Sequence, residues 1–95
     1  MSDSGLKITA YVYIVECMDG TYYTGWTTDI NKRIRMHNIG KGAKYTRYRV
    51  PVVLRYVQEF ATKQEAMRQE YRIKQLGRAQ KSILITSWKN EYHDR

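Results

Sequence analysis

Tyr11-Val12-Tyr13-Ile14-Val15-Glu16-Cys17-Met18-Asp19-Gly20-Thr21-Tyr22-Tyr23-Thr24-Gly25-Trp26-Thr27 decides how the rest of the chain is read. Tyr11 to Cys17 is a dense run of β-branched and aromatic residues, which predicts a central strand buried on both faces. Asp19-Gly20 is a hairpin signal, and Thr21 to Thr27 supplies the returning strand. Two loops suit that turn. A two-residue loop at Asp19-Gly20 pairs Glu16 with Tyr23 and puts Tyr13 and Tyr23 on opposite faces. A three-residue loop has a type I turn over Met18-Asp19 and Gly20 as a left-handed bulge; it pairs Val15 with Tyr23 and brings both phenols to one face.

Working outward, Thr28 or Asp29 can cap a helix that runs to about Asn38, with Gly40 placed to end it. Residues 40–50 have no period and read as a loop closed by Pro51, after which Val52 to Phe60 makes a third strand. Thr62 caps a second helix to about Leu76, and Gly77 separates it from a third helix ending near Trp88. The order ββαβαα gives an α/β domain with a small three-stranded, mainly antiparallel sheet and flanking helices. Residues 10–88 form the domain, with polar, flexible ends at 1–9 and 89–95.

Ninety-five residues support one domain and a modest core. Seventeen Lys and Arg against nine Asp and Glu leave a formal charge of +8, which favours anionic partners, nucleic acid first and an anionic membrane surface second. A lone Cys17 excludes an intramolecular disulfide framework and points to a reducing compartment. No apolar run approaches a membrane span and no signal-peptide layout opens the chain, so a cytoplasmic location is expected.

The chain lacks a nucleophile-elbow serine and any paired metal-ligand motif, and Cys17 is its one cysteine. It offers instead Tyr13 and Tyr23 on adjoining strands, Arg33 and His37 one helical turn apart, and Glu70 on a later helix. Phenols can handle a water's proton, cations suit phosphate, and a carboxylate suits a hard metal ion. On a helical wheel Arg33 and His37 border the stripe of Ile30 and Ile34, and Glu70 falls inside the stripe of Ala66 and Ile73. A carboxylate there needs a metal ion or a structural ion pair with a nearby Arg. Sheet packing is the competing reading for each tyrosine. In the loop, Lys41, Lys44, Arg47 and Arg49 alternate with Gly40, Gly42, Tyr45 and Tyr48. That pattern suits phosphate neutralisation with Tyr45 stacking on a base, or else an ordinary solvated charge run.

Tyr11-Val12-Tyr13, Tyr23-Thr24-Gly25, Arg33, His37 and Glu70, in that order and spacing, resemble the GIY-YIG endonucleases over about residues 10–85. The short form is similar to the stand-alone, single-domain bacterial branch. The resemblance implies a DNA endonuclease using one Mg²⁺ or Mn²⁺ ion, in repair or recombination. It also implies that Tyr13 or Tyr23 relays the water's proton, Arg33 stabilises the phosphate, His37 orients water or phosphate, and Glu70 holds the metal. Tyr11 stands in place of the first-motif glycine, and Trp26 where several members carry Lys or Arg, so Arg33 or Arg35 would have to substitute. The expected partner is DNA, including branched or single-stranded forms, without sequence-specific readout, and a protein partner could supply targeting. The alternative is a nucleic-acid-binding or targeting module with the same fold and little catalysis.

Overall fold

The computed structural model describes residues 7–93, with side chains through Lys89. Three strands, β1 (Ala10–Glu16), β2 (Tyr22–Thr27) and β3 (Val53–Phe60), and three helices, α1 (Ile30–Asn38), α2 (Lys63–Lys74) and α3 (Arg78–His93), follow one another in the order ββαβαα. The sheet order is β2-β1-β3 and both pairings are antiparallel. β1 is therefore the central strand, and Ala10, Val12, Tyr13, Ile14 and Val15 are fully buried.

The hairpin takes the three-residue loop. Val15 stands opposite Tyr23, Gly20 has φ 85°, and the Gly20 N–H donates to the Cys17 carbonyl at 2.9 Å. An aspartate suits the turn, and glycine accepts the left-handed backbone without a Cβ clash. A register shift on the other side of β1, between Ile14 and Val15, leaves Arg55 of β3 opposite no residue of β1, and its side chain reaches Glu16 at 3.0 Å.

α1 and α2 each start on a side chain. Asp29 accepts from the Lys32 N–H, while Thr62 and Glu65 form a reciprocal capping box. α1 ends in a Schellman turn: the Gly40 N–H donates to His37 O, the Lys41 N–H to Met36 O, and Gly40 has φ 81°. α3 runs to His93 and not to the neighbourhood of Trp88, because nothing in Lys89-Asn90-Glu91-Tyr92-His93 breaks a helix. Of the ends expected to be flexible, residues 1–6 and 94–95 lie outside the described residues; Thr9 is fastened to Phe60 O and Ala61 O. The Val50–Pro51 peptide is cis. Among the described residues no helix is long and apolar enough to cross a membrane.

The even residues of β1 (Ala10, Val12 and Ile14) pack with Tyr56, Ala66 and Ile73 beneath α2 and α3. The odd residues Tyr13 and Val15, with Cys17 just past the strand, pack with Val52 and with Ile30 and Ile34 of α1.

Candidate active site

The odd face of β1 brings Tyr13, Tyr23, Arg33 and His37 together, whereas Glu70 stands on α2, which packs against the even face. Because Val15 pairs with Tyr23 and Tyr13 with Gly25, both phenols project on the odd face. The Tyr13 ring crosses directly over Gly25, where any Cβ would overlap its hydroxyl, so glycine is a steric requirement at that position. Tyr13 hydroxyl lies 2.7 Å from His37 Nε2, and Arg33 Nε donates to the same oxygen at 3.2 Å. His37 Nδ1 lies 2.7 Å from Thr46 Oγ1, and the Thr46 hydroxyl donates to the Ala43 carbonyl at 3.2 Å. Tyr13, His37 and Thr46 are all fully enclosed. The loop reaches His37 only because residue 42 is glycine: a Cβ there would overlap the imidazole.

Enclosure determines the protonation states. Burial pushes the Tyr13 phenol up to about 12, against a lowering from Arg33, while the charges of Tyr23 and Glu70 push it further up. Burial also pushes His37 down to about 4, and the Arg33 charge acts in the same direction. Tyr13 is thus a neutral phenol and His37 a neutral imidazole at pH 7. For Arg33, burial pulls downward, but the Tyr13 and Tyr23 phenols outweigh it and hold the guanidinium firmly charged.

Tyr23 occupies a different position. Its ring meets His37 edge-on at 5.4 Å and stacks with Tyr45 at 6.0 Å, and it remains half-buried. Tyr22, Tyr23, Thr24, Tyr45, Lys74 and Lys81 line an open cleft of about 180 Å³ at the free edge of β2. Thr24 Oγ1, on that wall, is buried without a hydrogen-bond partner. Glu70 is one-fifth exposed and pairs with Lys74 at 3.4 Å, one turn further along α2. Its competing structural partner is therefore a lysine and not the arginine expected from the sequence. α2 packs against the even face of the sheet, and the Glu70 charge is the smallest of the effects that shift the Tyr13 phenol.

Among the loop cations, Lys41, Lys44 and Arg47 are exposed. Arg49 is committed to the protein itself, bonded to Asp19 at 2.9 Å and to Tyr45 O at 2.7 Å, with its guanidinium 4.1 Å over the Tyr45 ring. Arg49 therefore staples the loop to the hairpin and sets the Tyr45 ring. Thr46 is a site residue that carries almost no signal in the sequence. Its only signal was a single uncharged β-branched residue within Lys44-Tyr45-Thr46-Arg47-Tyr48-Arg49.

A family model described as the GIY-YIG catalytic domain matches residues 9–82. The UPF0213 protein VNG_2274C of Halobacterium salinarum is 64% identical over 75 residues, covering 79% of this chain and 97% of that protein. The UPF0213 protein SAG0778 of Streptococcus agalactiae is 55% identical over 86 residues, covering 90% of this chain and 98% of that protein. Among solved structures, the protein EF2693 of E. faecalis superposes with a TM-score of 0.59 at 39% identity, covering 92% of each chain. The UPF0213 protein BH0048 of Bacillus halodurans does so with a TM-score of 0.53 at 53% identity, covering 81% of this chain and 82% of that one.

Proposed function

Because the chain belongs to the GIY-YIG family, we propose that it is a DNA endonuclease that hydrolyses a phosphodiester bond at the Arg33–Tyr23–Glu70 side of this cluster. The observation that supports this best is a buried hydrogen-bond chain ending in a half-exposed, firmly charged guanidinium. Arg33 stabilises the charge that gathers on the scissile phosphate. Tyr23 is the phenol at the cleft, beside Arg33, and takes the proton of the attacking water. Tyr13 stands behind it, enclosed, and holds Arg33 and His37.

A divalent ion fits this donor set. Mg²⁺ commonly takes one or two carboxylates together with water and substrate phosphate oxygens. Glu70 is a half-buried carboxylate on the apolar side of α2 with a lysine as its partner, and it is the residue that would hold Mg²⁺ or Mn²⁺. Among the described residues no three His, Cys, Asp or Glu side chains converge, so the remaining ligands would come from the DNA phosphate and water. When bound, such an ion neutralises charge on the leaving 3′ oxygen. The exposed cations Lys41, Lys44 and Arg47 hold the backbone, and Tyr45, engaged by Tyr23 and Arg49, would have to release one of them to stack on a base. No group in this set reads base edges, so selection rests on DNA structure or is weak, as in a repair or recombination nuclease.

Pure protein incubated with plasmid, duplex, flap, junction and single-stranded DNA, with and without Mg²⁺ or Mn²⁺, tests the proposal. Metal-dependent cleavage of at least one form is expected, and Glu70→Ala should abolish it. That variant should unfold within about 1 kcal/mol of the wild type, since an i,i+4 ion pair contributes little. Cleavage retained in Glu70→Ala removes Glu70 from the site. DNA binding without cleavage of any form replaces the nuclease with a binding or targeting module.

A further inference from the structure

We propose that Thr46 is a positioning residue: its hydroxyl fixes His37 in the Nδ1–H tautomer, and that tautomer, acting through Tyr13, sets the Arg33 guanidinium for a phosphate. Only the last step, the contact with phosphate, rests on the nuclease reading.

The inference comes from counting hydrogens along an enclosed chain. A neutral imidazole has one donor and one acceptor, a hydroxyl has one hydrogen, and a backbone carbonyl only accepts. The Thr46 hydroxyl gives its hydrogen to Ala43 O, so it can only accept from His37 Nδ1. His37 Nε2 is then bare and takes the Tyr13 hydrogen. The Tyr13 oxygen keeps its lone pairs for Arg33 Nε–H. Every hydrogen has an acceptor in this arrangement. The opposite polarity turns Thr46 towards Nδ1, strips Ala43 O of its donor and makes Nε2–H donate to Tyr13. The Tyr13 hydrogen would then have no acceptor in a fully buried site, or would point at the Arg33 N–H, donor against donor. Leaving a buried polar hydrogen unpaired is the costly outcome. The polarity is therefore set at the buried loop and read out at the guanidinium, and Gly42 is what allows the loop that close.

Nitrogen-15 NMR of the labelled full chain, without DNA, tests this directly. His37 in the wild type should show a protonated Nδ1 and an unprotonated Nε2, and the Arg33 Nε–H should exchange slowly. A wild-type Nε2–H tautomer overturns the proposal. Thr46→Val should mix the tautomers and release the Arg33 Nε–H to fast exchange, and Thr46→Ser should restore both. Thr46→Val that keeps both wild-type signals overturns the proposal. Should Thr46→Val not fold, Tyr13→Phe decides: His37 should stay Nδ1–H, and a switch would mean that Tyr13 sets the tautomer. On a DNA that the wild type cleaves, Thr46→Val should lower kcat about ten-fold, the scale of one hydrogen bond, with KM unchanged. A wild type that cleaves no DNA removes the nuclease reading and leaves the NMR outcomes to decide the role of Thr46.

Discussion

The two faces of β1 are buried alike, but only the odd one adds a buried polar chain to its apolar core. On the even face, Val12 and Ile14 meet Ala66 and Ile73 beneath two helices, an apolar contact throughout. On the odd face, Tyr13 meets His37, and Thr46 enters from a loop. Apolar burial stabilises in rough proportion to area and tolerates local repacking. A buried polar chain contributes little net when complete and costs much when one member is lost. The even face therefore serves the fold alone, whereas the odd face combines the apolar packing of Val15, Val52, Ile30 and Ile34 with one fixed set of polar orientations. This is the arrangement expected where the outermost member, Arg33, has to be aimed.

The sharpest way to break this contrast is a crossed pair of substitutions. Arg33→Ala should lower the cleavage rate by roughly 10²–10³-fold, the scale of one lost transition-state donor. DNA affinity should change far less, because other cations share that task, and so should the unfolding free energy. Equal falls in rate and affinity would reduce Arg33 to a positioning contact with the DNA. Ile73→Ala, at a residue 1% exposed on the even face, should cost about 2–5 kcal/mol of stability. The rate per folded molecule should stay at the wild-type value. If Ile73→Ala slows the folded enzyme as Arg33→Ala does, the two faces are not separate in function.

Acid titration sharpens the comparison, since only the odd face holds a fully buried titratable imidazole. His37 falls from 6.5 to about 4 on folding. Between those values the unfolded chain binds a proton that the folded chain refuses, so stability is complete above pH 6.5 and declines as pH falls towards 4. The loss should be about 3 kcal/mol across that window, measured by urea unfolding. His37→Gln should remove this slope. Asp19, held low by its bonds from Thr21, adds loss only below its ordinary 3.8 and leaves the window clear. Tyr13 gives the mirror image, with stability lost as pH rises from 10 towards about 12. A His37→Gln variant with the wild-type acid slope would show that His37 is not the titrating group.

What could be read from the sequence follows from how local each cause is. The hairpin register depends on Met18-Asp19-Gly20, and requiring both phenols on one face chose the bulged loop that is observed. Asp29 and Thr62 cap helices through residues three positions away, so both were legible. Thr46 was not, because its partners are His37 and Ala43 and no periodicity marks a single loop residue turned inward. The pairing of Arg49 with Asp19, thirty positions apart, was hidden for the same reason, and so was the choice between Arg and Lys beside Glu70. The full enclosure of Tyr13 depends on β2 and α1 closing over it, which no pattern within one strand records.

That pairing makes the smallest prediction specific. The sequence suggests four equivalent phosphate cations in the loop, whereas the structure separates three from one. Lys41, Lys44 and Arg47 stand exposed, and Arg49 is bonded to Asp19 and Tyr45 O. If each exposed cation contacts one phosphate, neutralising all three should make the log–log salt slope of DNA binding shallower by roughly 0.9 per residue, or about 3 in all. The loss should be the same for every DNA sequence, because none of the three reaches base edges in this proposal. Arg49→Gln should leave the slope nearly unchanged, since the Asp19 carboxylate already offsets its charge. It should instead release Tyr45 from beneath the guanidinium and weaken the Tyr23–Tyr45 stack, raising KM more than it alters salt dependence. A slope that drops by a fourth unit with Arg49→Gln would mean that the Asp19 pair opens when DNA binds, and that the loop presents all four cations after all.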